Sequence, residues 1–146
     1  QQHGFTLMEI MLVIGMLAVI ALIIIVAISP TTQLSATRDS KRNLEKRELE
    51  NAVSQYIIDG NSLTGTGAVN SGIANATEIC QDAVSWPDCD AASGYELYSL
   101  LVPNYLVGIP VDPDETSSTL TGYYIYKQGS FYKICSPEID SGCAGL

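Results

Sequence analysis

The chain is short of the side chains that most chemistry needs. It holds one histidine, His3. From Gly4 onward there is none, so that stretch cannot form a Ser-His-Asp or Cys-His nucleophilic arrangement, which needs an imidazole as base. Basic side chains are also scarce. Residues 51–146 carry only Lys127 and Lys133 against eleven acids, which accounts for the whole net charge of −9. So acidic a head is a poor electrostatic match for a phosphate backbone, and direct nucleic-acid binding is not expected. No glycine-rich phosphate loop is present. The sharpest shortage lies in the run from Leu7 to Ile28, where Glu9 is the single charge.

That apolar run is long enough to cross a bilayer as one helix, for which about 20 residues suffice. A carboxylate at mid-membrane costs roughly 2.5–3.5 kcal/mol on insertion scales, and less near an end. Nothing nearby in the sequence can pair with Glu9. Its partner is therefore expected on another molecule. A cleaved secretory signal does not fit, because such signals have a 7–15-residue apolar core followed by small residues at the cut.

The stretch GFTLMEIMLVIGMLAVIALI resembles the N-terminus of bacterial type IV pilins and type II secretion pseudopilins. The resemblance implies a prepilin peptidase that cuts after Gly4 and methylates the new terminus, Phe5. It also implies that Glu9, four positions on, acts in assembly. The physical logic stands apart from the name. Cutting after Gly4 creates an α-amine on Phe5 with an unperturbed pKa near 8. Among packed apolar helices an unpaired carboxylate is strongly destabilising, and a neighbour's amine would neutralise Glu9 and set the axial register.

By this reading the chain has a residual leader (1–4), a membrane and filament-core helix (5–29), an amphipathic second half (30–59) and a globular head (60–146). The fold class expected is α+β. A long helix over about 5–58 should pack on a small antiparallel sheet. Ser29-Pro30 predicts a bend or a locally melted turn, since proline removes a helical hydrogen bond. Leu49, Ala52, Val53, Tyr56 and Ile57 recur at helical spacing and are expected to face the head. Arg42, Glu45, Lys46 and Glu48 are assigned to the opposite side. There they form either a solvated face or, in part, ion pairs between subunits worth roughly 0–1 kcal/mol each. Asp59-Gly60-Asn61 marks the stop. SPTTQLSATRDSKRNLEKRELENAVSQYIIDGN also resembles the corresponding helix of many bacterial pilins.

Within the head, 60–94 is expected as a variable loop, because GNSLTGTGAVNSGIANAT can bury little. Asn75-Ala76-Thr77 matches the glycosylation pattern, a three-residue match better read as bare loop. Tyr95 to Leu101 predicts a short helix with Tyr95, Tyr98, Leu101 and Val102 inward. Tyr123–Lys127 and Phe131–Ser136, around Gln128-Gly129-Ser130, predict a hairpin in a sheet over 120–137. LVPNYLVGIPVDPDETSSTLTGYYIY is similar to the major pseudopilins and related pilins.

The cysteines are Cys80, Cys89, Cys135 and Cys143. An even count in a small exported domain points to disulfides, with three pairings open. Cys80–Cys89 and Cys135–Cys143 are favoured because each closes a short loop rich in turn residues, and the second resembles the C-terminal disulfide loop of many pilins. The spacings do not suit a zinc knuckle. Asp88/Asp90 and Asp112/Asp114/Glu115 gather carboxylates in turn-like segments where solvated acids are ordinary. The family adds an alternative for Asp112, Asp114 and Glu115, since major pseudopilins hold calcium in a loop of this region and acidic oxygens suit that ion. The tryptophan-glycine that commonly follows the family's Asp-Pro is missing here.

The function this implies is the major structural subunit of a bacterial type IV pilus, without enzymatic activity or cofactor. Its partners would be identical subunits, the inner membrane, the prepilin peptidase, an assembly ATPase and a platform protein. The subunit would start in the inner membrane and end in an extracellular filament. The alternatives are a type II secretion pseudopilin and a monomeric membrane-anchored surface protein. Arg38, Lys41, Arg42, Lys46 and Arg47 would place the run's C-terminal side in the cytoplasm by charge count. The cysteines, the acidic head and the family motif place it outside, and they decide the expectation.

Overall fold

A computed structural model describes residues 4–27, 30–63, 69–82, 89 and 94–144. The fold is α+β, and the chain divides into two compact units, Gln1–Thr37 and Arg38–Leu146.

In the first unit, helix α1 spans Leu7–Ala27. Thr6 starts it. Its carbonyl oxygen accepts from the Ile10 N–H at 3.2 Å, and its Oγ1 accepts from the Glu9 N–H at 3.3 Å. Such caps satisfy N–H groups that have no partner in the first turn. α1 is apolar on every side and buries no residue within the chain. It is the one described helix long and apolar enough to cross a membrane. Helix α2 spans Pro30–Ile58, and a proline is tolerated at a helix start because its missing N–H would be unpaired there anyway. The bend expected at Ser29-Pro30 falls on residues 28–29, outside the described residues.

The second unit is built on α2 from Arg38 onward and a three-stranded antiparallel sheet of order β1-β2-β3, with β1 at Thr77–Cys80, β2 at Leu120–Gln128 and β3 at Phe131–Cys135. β2 alternates as a half-buried strand should, with Thr121, Tyr123 and Ile125 inward. The expected hairpin forms with Gln128 opposite Phe131, and Gly129 takes the left-handed φ of 64° that the tight turn needs. Leu49, Ala52 and Val53 of α2 are buried against Ile79, Tyr95, Leu101, Tyr123, Ile125 and Ile134, with Tyr56 and Ile57 packed at the margin.

Two expectations need correction. The segment 60–94 is not loop throughout: it contains β1 and a 3₁₀ turn at Ile73–Asn75. Thr77 pairs with Ile125 and Glu78 with Tyr124. Asn70 and Gly72 also exchange backbone hydrogen bonds with Lys127. Strand partners more than forty residues away stabilise what the local composition does not. The sheet therefore reaches beyond 120–137. The short helix is α3, Tyr98–Leu101, while Tyr95 pairs with Ile79 as a β-bridge. Tyr95 and Leu101 are buried, as expected, and Tyr98 and Val102 are half-buried against the core.

Candidate functional site

Gly4 and Phe5 precede α1 and are exposed. Glu9 sits in the first helical turn, and its carboxylate has no partner among the described residues. Thr6-Leu7-Met8-Glu9 also has the spacing of a capping box, a signal that the sequence reading passed over. Only the threonine's half of that exchange is made. An acid at this position also suits the positive end of the helix, so part of its cost in an apolar run is offset locally. The cap does not supply a counter-charge.

The favoured disulfides are formed, Cys80–Cys89 and Cys135–Cys143, with Cα–Cα distances of 5.8 and 6.0 Å. The second holds the loop that carries Asp140. There both Asp140 oxygens accept from Lys46 Nζ at 2.8 Å, and Oδ2 also accepts the Ser136 N–H at 3.0 Å. Asp88 and Asp90 lie outside the described residues.

Two of the three acids raised as a calcium alternative, Asp112 and Asp114, meet a different cation. Arg42 Nε and Nη2 donate to Asp112 at 2.7 and 2.9 Å, Nη2 also reaches Asp114 at 2.6 Å, and Nη1 reaches Asp39 at 2.9 Å. Arg38 lies 3.0 Å from the other Asp114 oxygen. The Asp114 N–H closes the loop onto Asp112 at 2.9 Å. Glu115 turns instead to the backbone N–H groups of Thr116 and Ser117. Burial disfavours the charged form of Asp112, but the hydrogen bonds and charge of Arg42 outweigh it and hold the carboxyl below its ordinary value. The same bonds push Arg42 upward despite its own burial. Among the described residues no group of three His, Cys, Asp or Glu side chains is arranged to hold a metal ion.

Arg42, Glu45 and Lys46 are therefore not on the side opposite the head. The Arg42 side chain is 4% exposed, and Glu45 Oε2 accepts from the Tyr123 hydroxyl at 2.6 Å. Helical geometry explains the error. At about 100° per residue, seven residues return within about 20° of the start, so Arg42 shares the face of Leu49. Glu48 is exposed as expected. Arg38, Arg42 and Lys46, four apart on one face, would repel, and Asp112, Asp114 and Asp140 interleave between them.

A further carboxylate sits under the same loop. Glu78 on β1 accepts from the Gly122 N–H and the Tyr124 hydroxyl, each at 3.0 Å. Burial raises it above the usual carboxylate range, and the two hydrogen bonds pull the other way. Gly122 adopts a φ of 75°, and a Cβ there would stand 2.8 Å from that of Asp112. Only glycine lets β2 pass so close to the ion-paired loop.

No protein-family model, curated protein or solved structure matches the chain.

Proposed function

We propose that this chain is a structural subunit of a type IV pilus-like filament, polymerising through α1. One observation carries the reading: α1 is apolar all round, none of its residues is buried, and it holds one carboxylate in its first turn with no partner among the described residues. A helix of this kind must be covered by lipid or by other helices. Copies of itself cover it with the same surface, and a free α-amine at Phe5, made by cutting after Gly4, supplies the cation that Glu9 lacks. The pilin motif at residues 4–24 points the same way.

In this reading α1 first spans the inner membrane and then packs in the filament core, with the disulfide-bonded acidic head outside. Moving α1 from lipid to a helix bundle brings little hydrophobic gain, because lipid is as apolar as the bundle. An assembly ATPase and a platform protein would supply the work, and a prepilin peptidase the cut. The chain itself performs no catalysis. A pseudopilin would differ by a calcium-dependent head, and here Arg42 already neutralises Asp112 and Asp114.

Electron microscopy of material sheared from cells tests the proposal. The wild-type chain should give filaments and Glu9→Ala should give none, while the head still melts cooperatively at an unchanged temperature. Normal filaments from Glu9→Ala would remove the role assigned to this carboxylate.

A further inference from the structure

The second unit satisfies nearly all of its cations internally. Arg38 and Arg42 hold the 112–114 loop, Lys41 meets Glu45, Lys46 meets Asp140, and Lys133 meets Glu50. Lys127 stands over the Tyr132 ring at 5.8 Å. Arg47 is left. In a chain of net charge −9, it is the one arginine or lysine without a carboxylate or aromatic partner among the described residues, and it is exposed. Its direction is the reason. Five residues beyond Arg42, it is turned about 140° from the face that packs on the sheet.

Arg47 lines a shallow groove of about 720 Å³ with Asn51, Gln55, Tyr105 and Leu106, and Leu44 stands at its rim, 68% exposed. An exposed leucine beside an unpaired arginine gives the groove both an apolar and a cationic element. Few acids are left over. Among the described residues of this unit, the carboxylates without a partner are Glu48 and Glu138, both exposed. Glu138 lines a smaller cleft, about 190 Å³, with Asp112, Asp114, Glu115 and Tyr124. Asp112 and Asp114 there are already engaged by Arg42 and Arg38, which leaves Glu138 as the acid of this cleft without a partner among the described residues.

We infer that the groove on the outward face of α2 is a docking site for a second copy of this chain, whose Glu138 pairs with Arg47. The inference rests on the filament reading and specifies one of its contacts. The symmetry of the two candidate acids selects Glu138. Glu48 flanks the same groove as Arg47, so a reciprocal Arg47–Glu48 contact would be self-complementary and close into a two-fold dimer. Arg47 and Glu138 belong to different patches, and a contact between different patches leaves one of each open at the ends, as an open polymer requires. The guanidinium fork suits a carboxylate at such a junction.

Charge swapping tests this in the full-length chain, with sheared filament yield as the readout and head melting as the control for folding. Arg47→Glu and Glu138→Arg should each lower the yield ~10-fold or more, since each sets like charges against each other at every junction of the polymer. Neither should shift the melting temperature, and the double variant should recover most of the yield. Normal yield from Arg47→Glu, alongside loss in Glu9→Ala, would overturn the contact and leave the filament reading standing. Rescue of Arg47→Glu by Glu48→Arg instead of Glu138→Arg would overturn the choice of partner. Absence of filaments from the wild-type chain would overturn both readings together.

Discussion

Helix α1 and the part of α2 from Arg38 onward are comparable lengths of helix with opposite accounts. α1 has one charge, and none of its residues is buried. α2 buries Leu49, Ala52 and Val53 and commits Arg38, Arg42, Glu45, Lys46 and Glu50 to named groups of the head. What is complete folds as a domain. What is incomplete calls for a partner, and the contrast separates residues that hold the head together from residues available for assembly. Even within α2 the distinction holds, since Arg47 and Glu48 are the charged residues from Arg38 onward that have no partner among the described residues.

The contrast can be broken at its strongest point. Glu9→Ala should eliminate filaments outright and leave head stability untouched. The mirror case is Arg42→Ala, which should destabilise the head by about 3–5 kcal/mol, the cost of stranding one side of a buried pair, measured by thermal or urea unfolding. If Arg42→Ala were neutral, the ion-paired loop would not be holding α2 to the sheet. Next in size, serine at both Cys135 and Cys143 should cost about 2–3 kcal/mol by loop entropy. That variant should also weaken the Lys46–Asp140 contact, so that a further Lys46→Ala change adds little to the loss.

The smallest effect is a pH dependence. Because Asp112 is held below its ordinary value in the fold, its contribution is fully present above about pH 4, the unfolded carboxylate range. It is lost as pH falls through the lower folded value. Glu78 runs the other way, since its raised value lets the fold take up a proton first as the medium is acidified. Melting temperature should therefore hold through mild acid and drop below about pH 4. Asp112→Asn should be less stable at neutral pH and show a shallower acid drop, as a melting series across pH will reveal.

Much of this was legible beforehand, for local reasons. The apolar run, the inward stripe of Leu49, Ala52 and Val53, and the hairpin around Gly129 depend on spacing and turn chemistry within a few residues. β1 was hidden because Thr77–Cys80 follows a polar, glycine-rich stretch and owes its strand to Leu120–Ile125, which no local pattern reveals. Arg42 was misplaced for a different reason. Its angle relative to Leu49 was readable, but burial of an arginine becomes credible only once Asp112 and Asp114 are known to meet it. The unpaired state of Arg47 required the same long-range knowledge, applied to every other cation.

The most direct measurement is the intact mass, under non-reducing conditions, of protein sheared from the cell surface. A filament subunit should give a chain beginning at Phe5, with or without one methyl group, and lighter by four hydrogens for two disulfides. A chain still carrying Gln1–Gly4, or no such protein in the sheared fraction, would contradict it and favour a monomer anchored through α1.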